Sequence, residues 1–256
     1  MFVAVSILLA PQSELLDEIT SLKVSDEDTT RIYLIRHGES VFNAPDANGM
    51  KYTSGKSLAI PLTEKGLKQA SKLGEILVNK FPKDSSLAIL SSTAIRAQQT
   101  ADRIFEGLKE HYPAIRGINA YENLCEVAQG DWDGKPKDAL FNQVIEPWER
   151  LSAKDKFTIP KFEKGESFQD GASRFLLGLQ EAIDQHPNKT LLIIAHCGAM
   201  SALALQLNPH FEQLSEQPGT PMPTIPFSNC DLLMLELPKS ASVDQAKIEG
   251  FIKSGI

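Results

Sequence analysis

Two histidines in this chain each follow a short apolar run, at points where side-chain chemistry is possible. His37 comes after "IYLI" and Arg36, and His196 comes directly after "TLLIIA". A neutral imidazole can attack an electrophile or pass protons, and a charged one can bind an anion. Arg96, in "SSTAIRAQQTA", adds a second arginine, and guanidinium groups match the geometry of phosphate oxygens. These residue types together favour chemistry on a phosphorylated ligand.

Several other phosphate chemistries are excluded by the residues themselves. A cysteine nucleophile of the phosphatase type needs an arginine six positions later, and those positions hold Asp131, Leu203 and Glu236. The "DWD" at 131–133 follows "EVAQG" rather than an apolar strand, so an aspartate nucleophile does not fit. No GxxxxGK[ST] motif of a P-loop kinase occurs. A metal site on the two histidines is disfavoured because two nearby arginines would repel a cation.

The elements that must position these side chains alternate between strand and helix. Apolar runs predict strands at 31–35, 87–90, 190–195 and 231–237, and helical periodicity predicts helices over 63–81, 93–110, 167–184 and 198–207. This pattern indicates an α/β fold, a three-layer α/β/α sandwich with a mostly parallel central sheet. Ligands of such sheets bind beyond the carboxyl ends of the strands. Arg36, His37 and His196 are expected at that edge.

Length and composition predict a single domain over residues 1–256. The motifs occupy a core of about 31–237, preceded by an N-terminal extension over 1–30. Two long connections, 135–166 and the proline-rich 208–228, are predicted to be lid insertions that influence substrate choice. The apolar run 2–10 has no Lys or Arg before it and is too short to span a bilayer, so a terminal strand or helix is expected.

Charge and cysteine content restrict the partners and the compartment. The formal charge of −7 argues against nucleic-acid or membrane partners, because phosphate polymers attract basic surfaces. A small phosphorylated substrate is still compatible, since a few local cations suffice to bind it. Three widely spaced cysteines indicate neither a disulfide framework nor a metal site, which favours a reducing, cytoplasmic setting. A homodimer is left open.

Six motifs occur in an order that resembles a known family. They are "LIRHGES" followed by Asn43, "PLTEKGLKQA", "SSTAIRAQQTA", "LCEVAQGDWDG", "GESFQDGASR" and "AHCG", and they extend over about residues 31–237. Together they are similar to the motifs of the histidine phosphatase (phosphoglycerate mutase-like) superfamily. The resemblance implies that superfamily's α/β/α fold and a reaction that proceeds through a phosphohistidine.

The resemblance also implies how the phosphoryl group is held. His37 matches the nucleophile, and Arg36 and Arg96 match the two phosphate-binding arginines. His196 matches a second histidine, expected to be cationic beside the phosphate and to donate to one of its oxygens. Asn43 matches a polar phosphate contact of many members, although a simple turn residue is the alternative.

A carboxyl group must protonate the leaving alkoxide and later take a proton from water. The resemblance assigns both steps to Glu126, and Glu122 or Asp131 are the alternatives nearby. It implies no metal and no cofactor, because guanidinium and imidazolium groups supply the positive charge.

Departures from the family pattern affect the substrate more than the phosphoryl pocket. Many members carry an Asp shortly before "PLT", where this chain has Ile60 directly before Pro61. The mutases follow their catalytic Glu with an arginine-containing segment, whereas no arginine follows Glu126 until Arg150. The form "GDWDG" is more similar to the phosphatase branch. The prediction is therefore a hydrolase of small phosphomonoesters, with a phosphoglycerate mutase-type phosphotransferase or a non-catalytic phosphate-binding protein as alternatives.

Overall fold

The four apolar runs predicted as strands lie side by side in one sheet. The computed structural model describes residues 14–16, 18–137, 144–208 and 214–256. Its strands are β1 (Glu14–Leu15), β2 (Thr29–Arg36), β3 (Leu87–Ser92), β4 (Ile118–Tyr121), β5 (Thr190–Ala195), β6 (Leu232–Pro238) and β7 (Lys247–Lys253). Their order across the sheet is β1-β7-β6-β2-β5-β3-β4. The strands β2, β5, β3 and β4 run parallel, while β6 is antiparallel to both β2 and β7.

Helices cover both faces of this sheet. They are α1 (Glu64–Leu77), α2 (Ile95–Leu108), α3 (Glu146–Glu149), α4 (Ala153–Thr158), α5 (Phe168–Gln185) and α6 (Cys197–Gln206). Side chains alternate along β2, so Ile32 and Leu34 pack with α5 and α6, while Tyr33 and Ile35 pack with α1 and α2. The predicted three-layer α/β/α sandwich with a mostly parallel central sheet is confirmed.

Some element boundaries differ from the sequence prediction. The helix expected over 63–81 ends at Leu77, and the chain then turns so that Phe81 meets Tyr33 and Tyr112 edge-on, at 5.6 and 6.4 Å between ring centroids. The strands β4 and β7 were not predicted. Their burial is incomplete at the sheet edges, so their sequences lack the continuous apolar runs of the central strands.

Part of the predicted N-terminal extension packs on the domain. Leu16 and Leu22 are buried in the apolar cluster beneath α1 and α2, and the two residues of β1 pair with β7. The apolar run 2–10 lies outside the described residues. β2 begins at Thr29, two residues earlier than the predicted strand, within the polar stretch "SDEDTT".

The starts of the helices differ in how their free N–H groups are satisfied. The Thr63 hydroxyl accepts a hydrogen bond from the Gly66 N–H (3.0 Å), and Ser167 forms a reciprocal capping box with Asp170. At α6 the N-cap residue is His196, whose side chain makes no capping bond. The first N–H groups of α6 therefore need another acceptor, which is the side chain of Glu126 in the loop after β4.

Gly38 is required for helix packing. A Cβ atom built on Gly38 would lie 2.5 Å from the backbone oxygen of Gly66 in the first turn of α1. The absence of a side chain at Gly38 therefore lets α1 approach β2 closely.

We expect Gly38→Ala to lower the free energy of unfolding by about 1–3 kcal/mol, because backbone rather than a flexible side chain must move. Denaturant titration followed by circular dichroism measures the change. Gly250→Ala is the matched control, since its Cβ would meet only the mobile end of Met234, at 3.3 Å. Equal midpoints for the two variants would show that the contact with Gly66 is not tight.

Candidate active site

The carboxyl ends of three neighbouring strands bring the predicted catalytic residues together. Arg36 closes β2 opposite Ala195, the last residue of β5, and His37 and His196 follow immediately. The His37 N–H donates to the Ala195 carbonyl at 3.1 Å. The two imidazole rings lie 5.2 Å apart between centroids. Register in the sheet thus places two histidines 159 positions apart in the chain beside each other.

His37 is held as a neutral imidazole with one nitrogen free to attack. Its Nδ1 lies 2.7 Å from the Gly38 carbonyl, and because a carbonyl only accepts, Nδ1 carries the proton. The Nε2 atom therefore keeps its lone pair. The side chain is 4% exposed, and burial, followed by the charges of Arg96 and Arg36, holds the His37 pKa well below its usual value. This tautomer is the nucleophilic form.

The main chain around His37 is fixed by the turn that precedes β6. The Asn229 side-chain amide donates to the His37 carbonyl at 2.8 Å, and the Cys230 N–H donates to the Arg36 carbonyl at 2.9 Å. Asn229 was missed in the sequence, because this contact joins segments 192 residues apart without any local pattern.

Two arginines supply positive charge that no described carboxylate neutralises at salt-bridge distance. Arg36 donates through Nη1 to the Phe227 carbonyl at 2.5 Å, and its buried Nε has no partner among the described residues. Arg96 is fully buried and donates to the carbonyls of Ser57 (2.7 Å) and Gly55 (3.1 Å). Its Nε is likewise without a partner in the described chain. Carbonyl contacts orient both guanidinium groups and leave donors for an anion.

His196 is completely buried at the N-terminus of α6. Its Nε2 lies 2.7 Å from the Ser92 hydroxyl, and its Nδ1 has no partner among the residues that the structure describes. Burial, then Arg96 and His37, hold its pKa well below the usual value. The protein's own surroundings thus favour a neutral ring. The expected cationic form would need the negative charge of a phosphate dianion to raise that pKa.

Glu126 occupies the N-terminus of α6. Its carboxylate accepts hydrogen bonds from the N–H groups of Gly198 (3.0 Å), Ala199 (2.7 Å) and Val127 (2.9 Å). A Cβ on Gly198 would lie 2.6 Å from Glu126 Oε1, so this glycine admits the carboxylate. The positive end of the helix dipole favours an anion there. Glu126 is thereby held one helical turn or less from His196.

The two alternative acids lie elsewhere. Asp131 pairs with Lys164 at 2.9 Å, and both side chains are at least half exposed. Glu122 lies in a short 3₁₀ turn and lines a separate polar depression with Asn119, Glu181 and Gln185. Their placement favours Glu126 as the proton-transfer group.

Asn43 takes part in a turn that follows His37. Its side-chain oxygen accepts from the Ser40 N–H at 3.3 Å, and its own N–H donates to the Ser40 carbonyl at 2.9 Å. This is the turn role that the sequence left open. Phosphate contact by Asn43 stays a prediction.

An ion pair that the sequence did not reveal braces the Glu126 loop. Arg174, in α5, donates to the carbonyls of Asn123 (2.8 Å), Cys125 (3.0 Å) and Glu126 (3.1 Å), and it binds both carboxylate oxygens of Glu166 at 2.8 Å. Glu166 in turn accepts from the Ala128 N–H at 2.9 Å. The motif "GESFQDGASR" contains both Glu166 and Arg174, so the sequence marks the two residues. Their spacing alone does not predict that they bind the loop that carries Glu126.

We expect Arg174→Met to destabilise the fold by about 1–3 kcal/mol, because three carbonyls lose their donor and the partly buried Glu166 carboxylate keeps only Lys56 and the Ala128 N–H. Thermal and denaturant unfolding measure this effect. Lys164→Met, which removes an exposed pair, should change stability little. If the two variants unfold alike, Arg174 is not the brace that its contacts indicate.

The same ion pair should make stability depend on acid pH. Burial opposes ionisation of Glu166, but hydrogen bonds from Arg174 and Ala128 and the charges of Arg174 and Lys56 outweigh it and lower the pKa to about 2. A lowered carboxyl pKa stabilises the fold at pH above the unfolded value of 4.5, and that stabilisation is lost as the pH falls toward 2. Unfolding of Glu166→Gln should therefore depend less on pH across this window than unfolding of the unsubstituted protein.

The predicted lid 135–166 contributes just under half of the residues that line a pocket beside Glu126. Its residues Lys137, Ile145, Trp148, Lys161 and Phe162 line the pocket. The described part of 208–228 contributes none of the lining and instead presents the Phe227 carbonyl to Arg36. Residues 138–143 and 209–213 of the two segments lie outside the described chain.

Metal-type side-chain clusters and membrane-spanning helices are both absent from the described residues. No group of three or more His, Cys, Asp or Glu side chains there is arranged to hold a metal ion. None of the described helices has the length and apolar character needed to cross a bilayer.

Fold and site together define an α/β protein with two strand-end histidines and two arginines beside them. The profile of the "Histidine phosphatase superfamily (branch 1)" matches residues 32–239, and the chain belongs to this family. It is a family of phosphatases and phosphoglycerate mutases, so the resemblance of the six motifs is confirmed.

Individual relatives include both kinds of enzyme. The chain is 31% identical over 180 residues (70% of this chain, 78% of the relative) to the "Uncharacterized phosphatase PhoE" of Bacillus subtilis. It is 27% identical over 232 residues (82% and 90%) to a 2,3-bisphosphoglycerate-dependent phosphoglycerate mutase of Chlamydia muridarum. The solved structure of a mycobacterial glucosyl-3-phosphoglycerate phosphatase superposes with a TM-score of 0.63 at 22% identity, covering 88% of this chain and all of that one, which supports the fold.

Proposed function

We propose that this protein hydrolyses a small phosphomonoester through a phosphohistidine on His37. The observation that carries the proposal is the hydrogen bond from His37 Nδ1 to the Gly38 carbonyl, which leaves Nε2 unprotonated in a buried setting near Arg36 and Arg96. A neutral nucleophile beside two fixed cations fits in-line attack on a negatively charged phosphoryl group.

The reaction proceeds in two displacements. His37 Nε2 forms a bond to phosphorus as the ester oxygen leaves, and the leaving alkoxide takes a proton from the Glu126 carboxyl. Glu126 then removes a proton from water, whose oxygen attacks phosphorus and releases His37 and inorganic phosphate. Arg36, Arg96 and His196 stabilise the charge on the equatorial oxygens in both steps.

Two finer properties belong to the same proposal. The reaction requires no metal ion, because buried guanidinium groups supply the charge that a metal supplies in other phosphoryl-transfer sites. The setting is a reducing, cytoplasmic one, which is supported by the three free thiols of Cys125, Cys197 and Cys230. Nucleic acid and membranes are not proposed as partners, and a homodimer is compatible with the proposal.

Hydrolysis is favoured over mutase action by the residues around the leaving group. No arginine follows Glu126 before Arg150, and the side chain of Arg150 pairs with Glu146 at the surface at 2.5 Å. A carboxylate clamp of the mutase kind uses an arginine, whereas the cations that line the pocket beside Glu126 are the lysines Lys137 and Lys161. The phosphatase among the relatives supports the same choice.

Turnover of p-nitrophenyl phosphate in the presence of a metal chelator tests the proposal. We expect catalytic release of p-nitrophenol and of inorganic phosphate. Conversion of 3-phosphoglycerate to 2-phosphoglycerate, without net phosphate release, would instead support a phosphotransferase. Phosphate binding without turnover of any phosphomonoester would support a non-catalytic protein.

A further inference from the structure

A pocket of about 310 Å³ adjoins the catalytic groups and has a composition unlike that of the phosphate site. It shares Glu126 and Gly198 with the active site and continues away from them between the 135–166 insertion and the start of α5. We propose that this pocket binds the leaving group of the substrate, and that the leaving group is a flat apolar ring carrying a carboxylate or another anionic acceptor. The inference rests on the proposed function and adds the substrate class.

Continuity with Glu126 identifies the occupant as the leaving group. Glu126 is the group that protonates the departing oxygen. The leaving group attached to that oxygen must therefore lie next to Glu126 and point away from His37. The pocket begins at Glu126 and Gly198, which places it at that position. Its volume is at the small end of ligand pockets, about 300–1,000 Å³, and fits a single ring or a small fused ring.

The walls of the pocket are largely apolar and aromatic. Val127, Ile145, Trp148, Phe162 and Phe168 line it. Side chains of this kind favour flat apolar groups through burial of surface and through ring contacts. A polyhydroxylated sugar would gain less from this apolar surface than a flat ring, because hydroxyl groups are costly to bury against apolar side chains.

A cation at the wall accounts for the anionic group. Lys161 lines the pocket, and its Nζ lies 4.2 Å from the centre of the Trp148 ring and 5.9 Å from that of Phe162. Burial lowers its pKa, and no described carboxylate lies within salt-bridge distance of it. The neighbouring Lys156 differs, because it is paired with Glu149 at 2.9 Å and with the Thr220 carbonyl at 3.1 Å. Lys161 is therefore available to an anion from the substrate.

Two further polar groups at the wall are available to a ligand. Trp148 Nε1 is buried and has no acceptor among the described residues, and Gln129 Oε1 is buried without a donor there. A second lysine, Lys137, also lines the pocket and makes no described ion pair. A buried donor without a partner is costly, so a ligand that accepts from Trp148 gains affinity.

Three phosphates of primary alcohols test the inference with leaving groups of similar pKa. They are ethyl phosphate, 2-phenylethyl phosphate and 2-(4-carboxyphenyl)ethyl phosphate. We expect kcat/KM to rise from the first to the second by roughly 10- to 200-fold, as for other apolar groups in a fitted pocket. A further rise of about 10-fold is expected for the third, because a charge-assisted contact is worth roughly 1.5–3 kcal/mol.

Variants separate the ring from the charge. Trp148→Ala should reduce the preference for the phenyl compound over the ethyl compound by about 10-fold. Lys161→Met keeps the apolar stem and should make the carboxylated and plain phenyl compounds equal substrates. Lys72→Met, which removes an exposed lysine of α1, is the matched control and should leave all ratios unchanged. Equal kcat/KM for the three phosphates overturns the inference.

Binding of 2-(4-carboxyphenyl)ethanol, measured by calorimetry, tests the pocket without any turnover. We expect affinity that falls by about 10-fold in Trp148→Ala and in Lys161→Met. If the alcohol binds in this way and no phosphate ester is hydrolysed, the pocket stands and the proposed hydrolysis fails. If esters are hydrolysed but the alcohol binds all variants equally or not at all, the pocket assignment fails alone.

Discussion

Replacing His37 with alanine is expected to lower kcat on p-nitrophenyl phosphate by about 10⁴-fold or more, because the covalent step loses its nucleophile. The structure makes this residue difficult to replace. Its Nδ1 is occupied by the Gly38 carbonyl, its Nε2 is free, and its partner His196 is bonded through Nε2 to Ser92. The second imidazole therefore has the opposite nitrogen engaged. Steady-state kinetics over a wide range of enzyme concentration measures the loss.

Trapping of the intermediate accompanies this measurement. Rapid quench into base, followed by intact-mass analysis, should show one added phosphoryl group on the unsubstituted protein and none on His37→Ala. His111→Ala is the matched control, because that histidine is exposed and distant from the site. A His37→Ala protein that is folded and still forms an alkali-stable phosphoenzyme would place the nucleophile elsewhere.

Replacing Glu126 with glutamine is expected to slow hydrolysis of an alkyl phosphate by about 10²- to 10⁴-fold, which is the usual contribution of a positioned acid or base. An alkoxide needs a proton to leave, whereas p-nitrophenolate leaves without one. The first displacement on p-nitrophenyl phosphate should therefore be affected less than that on ethyl phosphate. The second displacement is common to both substrates and still lacks its base, so p-nitrophenol should appear in a burst.

The control for this variant addresses the local hydrogen bonds. Gly198 and Ala199 donate to different oxygens of Glu126, and glutamine replaces one of these oxygens with an NH₂ group, which cannot accept a hydrogen bond. Some rearrangement at α6 is therefore expected. Circular dichroism and unfolding midpoints will show whether the fold persists. Asp131→Asn is the matched surface change and should leave both substrates unaffected. If Glu126→Gln slows both esters equally and gives no burst, Glu126 is not the proton-transfer group.

Much of the fold could be predicted because its central strands are buried on both faces. β2, β3 and β5 each contain a continuous apolar run of four or five residues, and these runs are visible in the sequence without any partner strand. β4 and β7 lie toward the sheet edges and are only partly buried, and their sequences lack such continuous apolar runs. The sequence therefore predicts the layers better than the extent of the sheet.

The candidate site shows a similar division. His37, His196 and Arg36 follow strands, so the parallel sheet itself predicts that they meet. Arg96 lies off the apolar stripe of its helix, yet it is fully buried, because carbonyls of the 55–57 loop receive its guanidinium. The bonds from Ser92 to His196, from Asn229 to the His37 carbonyl and from Arg174 to the carbonyls of the Glu126 loop join groups 48 or more positions apart. Such contacts have no periodicity, so only the folded chain reveals them.

The position of Glu126 at the start of α6 has a consequence for turnover. An oxyanion that approaches His196 finds the N–H groups of Gly198 and Ala199 already engaged by a carboxylate of the same chain. Inorganic phosphate therefore finds these helix donors occupied, so fewer groups hold the product. We expect inorganic phosphate to be a weak product inhibitor. Because a carboxylate of the same chain occupies the helix donors, orthophosphate leaves readily and the next ester can bind soon afterwards.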